Sequence, residues 1–114
     1  MKISEIAAIT GAELLTGEEK LSCEVQAACG CDLMSDVLRY VQDDIILITG
    51  LTNIHTIRTA EMACIDYILF VRGKSPSKEV IDAAKEAGIL VLRTTMPMYE
   101  ACGLLFKNGL GAKR

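Results

Sequence analysis

The residues with chemical potential fall into four short clusters: Cys29-Gly30-Cys31-Asp32, Thr49-Gly50-Leu51-Thr52-Asn53, Arg72-Gly73-Lys74 and Arg93-Thr94-Thr95. Glycine permits close backbone approach, Thr and Asn supply hydrogen-bonding side chains, and Arg72, Lys74 and Arg93 supply positive charge. Free N–H groups at helix starts and neighbouring cations together suit a small anion, such as a nucleotide or a phosphorylated metabolite. The candidate ligand-binding residues are Gly30, Asp32, Thr49, Gly50, Asn53, Arg58, Thr59, Arg72, Gly73 and Thr94, with Arg58 and Thr59 one turn beyond Asn53.

The same clusters are poor in catalytic groups. His55, Asp32, Asp36 and Glu61 are the acid–base candidates, but no Ser or Cys partner stands at a recognisable spacing, so no catalytic residue is assigned. The stretch ITGLTNIHTIRT lacks the Gly-Lys-Ser/Thr of a phosphate-binding loop. Cys29 and Cys31 could both face a metal, which opens a metal or iron–sulfur reading. Structural zinc sites space their cysteines by about two to four residues and need further ligands, and the one histidine lies in another segment. No metal site and no cofactor are expected.

Positioning these clusters requires apolar strands. Ile45 to Ile48, four large aliphatic residues in a row, reads as a strand buried on both faces, with Thr49-Gly50 turning the chain toward a helix that starts near Asn53. The run Leu21 to Ala28 is strand-like and ends at Cys29. Asp66 to Val71 and Ile89 to Leu92 supply two more strands. Between them, Asp32 is placed to cap a helix with Leu33, Val37, Leu38 and Val41 on one face, closing near Gln42. Ile54, Ile57, Ala60, Glu61 and Cys64 trace a second helix, and Ser75-Pro76-Ser77 opens a third, stopped by Gly88. Lys2 to Thr10 forms an opening helix stopped by Gly11. Pro97 starts a last helix through Tyr99, Cys102, Leu105 and Phe106, and Leu110 begins a frayed tail.

Strands alternating with helices across short connections predict an α/β fold: a three-layer α/β/α sandwich with a mainly parallel sheet of four to five strands. All 114 residues are expected to form one domain. The core must be aliphatic, since 51% of residues are hydrophobic and only 4% aromatic. A formal charge of −3 without a basic run argues against nucleic acid. No apolar stretch approaches the ~20 residues that span a bilayer, and the opening residues lack a signal-peptide core, so a cytoplasmic location without membrane contact is expected. Cys23, Cys29, Cys31, Cys64 and Cys102 are odd in number and irregularly spaced, which suits reduced thiols.

The succession GCDLMSDVL, IILITGLTNIHTIRTAE and DYILFVRGKSPSKEVIDAAKEAGILVLRTTMPMYEACGLL resembles the DRTGG domain, a relative of the amino-terminal domain of HPr kinase/phosphorylase. The likeness covers nearly the whole chain and is strongest from Gly30 to Leu105. Thr49 to Asn53 stands where the sequence that names the family would follow its strand. The resemblance implies an α/β/α sandwich, homodimers and a regulatory or assembly role, since such domains occur alone or fused to CBS pairs, pyrophosphatases and phosphotransacetylases. The kinase half, with its phosphate loop, has no counterpart here, so the chain is expected to be non-catalytic. Stand-alone relatives are similar to proteins found near iron-hydrogenase genes in anaerobes. That suggests the alternative of an adaptor on a larger enzyme, with Met34, Met62, Met96 and Met98 as contact residues.

Overall fold

A computed structural model describes residues 1–39 and 43–112. At its centre is β3 (Ile45–Thr49), every residue of which is buried. Side chains alternate across a strand, so Ile45 and Leu47 join one apolar layer while Ile46 and Ile48 join the other. The next strand, β4 (Tyr67–Phe70), divides in the same way, with Ile68 and Phe70 on the first side and Tyr67 and Leu69 on the second. Full burial of such side chains contributes about 1.5–3 kcal/mol each before the entropy of ordering is set against it.

Among the described residues the sheet has six strands in the order β1-β5-β4-β3-β2-β6, the others being β1 (Glu13–Thr16), β2 (Ala27–Gly30), β5 (Leu90–Arg93) and β6 (Gly111–Ala112). Strands β2 to β6 run parallel to their neighbours and β1 runs antiparallel to β5. Helices α2 (Met34–Leu38), α3 (Ile54–Met62) and α4 (Lys78–Ala87) cover one face, and α1 (Ile3–Thr10) and α5 (Met98–Lys107) the other. This is the expected three-layer α/β/α sandwich on a mainly parallel sheet.

Local chemistry explains the helix ends. The Asn53 and Ser77 side chains accept the Thr56 and Val80 N–H groups at the starts of α3 and α4. Gly11 and Gly88 close α1 and α4 at positive φ, as expected.

Five expectations need correction. Asp32 does not cap α2: Leu33 holds the cap position without a side-chain bond, because the Asp32 carboxylate is drawn to donors at the end of β3. Leu33 is 57% exposed, and of the expected apolar face Val37 is the described residue that is fully buried. The expected helix end at Val41 and Gln42 lies outside the described residues. Strand β2 starts at Ala27 rather than Leu21, since the Cys23 and Leu21 carbonyls accept the first N–H groups of α1 instead of joining the ladder. Helix α3 ends at Met62, and Cys64 adopts a left-handed φ of 56° on an exposed turn. Finally, Leu110 is not frayed but 3% exposed, seated in the α1/α5 layer, which brings Gly111–Ala112 alongside β2.

Candidate anion-binding edge

The strand order places the carboxyl ends of β2, β3, β4 and β5 side by side, so four loops from distant stretches of sequence meet along one edge. At its centre the Asp32 carboxylate reaches across from the β2 loop. Its Oδ1 accepts the Gly50 N–H at 2.8 Å and the Thr49 hydroxyl at 2.9 Å. Its Oδ2 lies 3.7 Å from Arg72 Nη2, a loose ion pair in which the side chains are 41% and 45% exposed. Thr49 Oγ1 in turn accepts the Leu51 N–H, fixing the turn after β3.

Burial pushes the Asp32 carboxyl up, but the Gly50 N–H, the Thr49 hydroxyl and the charges of Arg72 and Lys74 together outweigh it. The group is therefore held below its ordinary value and stays ionised at neutral pH.

Gly50 matters for a different reason from the one the sequence suggests. Its φ is not among the positive values, so no special turn geometry demands glycine. The Arg72 guanidinium instead lies directly against its Cα, where a methyl group would overlap the Nη2, Cζ and Nε atoms. Arg72 itself sits at φ 66°, followed by Gly73 at φ 70°. A left-handed conformation costs a non-glycine residue about 1–2 kcal/mol. Two backbone bonds hold it, from Arg72 N–H to the Met96 carbonyl and from Gly73 N–H to the Thr94 carbonyl.

The remaining candidates are placed less centrally. Arg93 is not an available cation, since its guanidinium pairs with Glu13 at 2.7 Å and donates to the Gly73 carbonyl at 2.9 Å. That contact makes it a brace for the Arg72-Gly73 turn. The Thr94 hydroxyl is buried and donates to the Thr10 carbonyl at 2.7 Å, tying β5 to α1. Asn53 serves α3 as its cap. Gly30 backs onto the Cys102 thiol, which an added Cβ would approach to 2.9 Å. Arg58 pairs with Glu61 one turn on, and Thr59 is buried. No hydrogen bond or ion pair among the described residues joins either to Asp32, Gly50 or Arg72. The structure thus unites Asp32, Thr49, Gly50 and Arg72 with Gly73 as support. No spacing signal could have linked Asp32 to Arg72, because sheet order alone makes them neighbours.

Among the described residues no group of three or more His, Cys, Asp and Glu side chains is placed to hold a metal. Cys31 Sγ engages the Leu33 backbone, Cys29 packs in the α2/α3/α4 layer, and Cys64 is exposed. Of the four methionines expected as adaptor contacts, Met62 is 69% exposed while Met34, Met96 and Met98 pack against the two core layers. No helix among the described residues is long and apolar enough to cross a membrane.

Residues 5–106 match the family described as the DRTGG domain. The chain belongs to the DRTGG domain family. A similar solved structure is that of the CBS and DRTGG domains of the regulatory region of Clostridium perfringens pyrophosphatase, complexed with its activator diadenosine tetraphosphate. The TM-score is 0.77 at 20% identity, over 91% of this chain and 45% of that one. At this identity the likeness speaks for the shared fold, and this DRTGG chain spans a little under half of that structure's length. A comparison with curated protein sequences found no match.

Proposed function

We propose that residues 1–114 form a single non-catalytic regulatory domain that senses a small anionic ligand, of the nucleotide or phosphorylated-metabolite class, at the carboxyl edge of its sheet. The observation that carries this reading is Arg72. A cation held in a left-handed conformation, braced by backbone bonds and Arg93, and only loosely paired, keeps a charge available beside backbone donors. The family supports a regulatory role. The related pyrophosphatase region was crystallised with a nucleotide activator, which supports this ligand class. The hydroxyl that stands beside a carboxylate on this edge, Thr49, is engaged by both Asp32 Oδ1 and the Leu51 N–H in fixing the turn, which favours sensing over catalysis.

A homodimer is the proposed assembly, supported by Tyr99 and Phe106, which leave α5 89% and 68% exposed. A reducing, cytoplasmic setting is supported by five cysteines, none of them disulfide-bonded.

Thermal-shift measurements against nucleotides, phosphorylated metabolites and acyl phosphates test the ligand. A binder at a hundredfold excess over its Kd adds about 2.7 kcal/mol of stability and raises Tm. The rise should disappear in Arg72→Ala. A ligand that stabilises Arg72→Ala equally well binds elsewhere, and no stabilisation by any of them at millimolar concentration ends the proposal.

A further inference from the structure

The carboxylate at the centre of the edge is itself an anion, which bears on what can bind there. Asp32 Oδ1 is occupied by the Gly50 N–H and the Thr49 hydroxyl, so the group is fixed in place. Oδ2 takes no hydrogen bond among the described residues, stands 3.7 Å from Arg72 Nη2, and belongs to a side chain 41% exposed. A fully deprotonated anion such as sulfate, drawn to Arg72 and Lys74, would meet Oδ2 as a like charge with no donor between them. A ligand that carries a hydroxyl or an amine beside its phosphate would place that donor on Oδ2 while its anion reaches the guanidinium.

We propose that Asp32 is the specificity-determining residue of this edge, admitting phosphorylated compounds that bring a hydrogen-bond donor next to the phosphate and rejecting bare anions. This rests on the reading of the edge as an anion site. Asp32 touches the ligand and chemically transforms nothing. Its fixed negative charge acts as a filter, because a buried or half-buried acceptor left without a donor penalises the wrong ligand more than a good contact rewards the right one.

Isothermal titration of the wild-type protein with ribose 5-phosphate and with inorganic sulfate, at one ionic strength, tests this directly. The phosphosugar should bind at least about tenfold tighter. In Asp32→Asn, which keeps an acceptor for Gly50 and Thr49 but loses the charge, sulfate should tighten and the ratio should fall toward one. Equal wild-type affinities would overturn the filter while leaving the anion site intact, as would a ratio unchanged in Asp32→Asn. If neither compound binds either protein, the anion-site reading falls and the filter with it. Should Asp32→Asn not fold, the wild-type ratio decides alone.

Discussion

The two ends of the sheet use charge in opposite ways. At the amino edge, Lys20 Nζ donates to the Gly88 carbonyl that closes α4, lies 3.9 Å from Asp66 Oδ1 and sits 5.9 Å from the Tyr67 ring centre. One cation thus satisfies a helix end, a carboxylate and an aromatic face. The Tyr67 hydroxyl there is pushed up to about 12, first by burial and then by Cys23, so it remains neutral. A hollow of about 320 Å3 opens beside this edge, lined by residues such as Thr16, Glu18 and Lys85. At the carboxyl edge, by contrast, Arg72 adopts a costly backbone conformation and obtains only a loose, half-exposed ion pair. A strained cation with unused bonding capacity is a better guide to function than a hollow alone. The amino edge is satisfied structure, and the carboxyl edge holds a charge in reserve.

The glycines offer the sharpest way to break that contrast. Gly17, at φ 94°, faces the Leu90 Cα, which an added Cβ would approach to 2.6 Å, with backbone that cannot step aside. Gly17→Ala should cost about 2–4 kcal/mol from left-handed strain plus overpacking, read as a drop in denaturation midpoint. The atoms nearest to the methyl of Gly50→Ala belong to the far end of the long Arg72 side chain rather than to backbone. It should lose less than about 1 kcal/mol of stability yet weaken anion binding, because the guanidinium is pushed off its seat. Comparable destabilisation by both substitutions would erase the distinction between the edges.

Arg72→Gly sharpens the comparison further. Relief of about 1–2 kcal/mol of left-handed strain is set against the flexibility that glycine adds to the unfolded chain and the loss of a weak ion pair. The net change in stability should stay within about 1 kcal/mol while ligand-induced stabilisation vanishes. A loss well beyond that would make Arg72 a structural residue, like Lys20.

The smallest effect is on pH dependence. The folded Asp32 carboxyl lies below its ordinary 3.8, so its contribution is fully present above that value and is lost as pH falls through the lower, folded one. Solvent screening of a half-exposed group limits this to about a few tenths of a kcal/mol. Acid unfolding of Asp32→Asn should accordingly be slightly less steep below pH 4 than that of the wild type. An identical acid limb would mean that the carboxylate gains nothing from its donors.

Much of this was legible beforehand. Ile45 to Ile48 announces a doubly covered strand through unbroken aliphatic character, Ser77 and Gly88 bracket α4 by local chemistry, and the alternation of strands and helices implies parallel crossovers. The ten candidate residues include the four that the fold brings together, Asp32, Thr49, Gly50 and Arg72, but their spacing does not single them out from the other six. Local rules set Asp32 as a cap, and tertiary competition from the Gly50 N–H, the Thr49 hydroxyl and the Arg72 charge overrode them. Leu110 departs from the expected fraying for a related reason, since a single apolar residue in a short tail carries no periodicity and only the space beside α1 and α5 reveals its seat.

Sequence by itself determined the family, the sandwich and the aliphatic core, because these follow from patterns repeated within a few residues of one another. Only the tertiary structure decided which charges are satisfied and which remain available. Arg93 and Arg72 look alike in sequence, both standing at strand ends. The fold gives one a carboxylate and a carbonyl to bind, and gives the other a left-handed backbone, a bare glycine and a carboxylate just out of hydrogen-bonding reach.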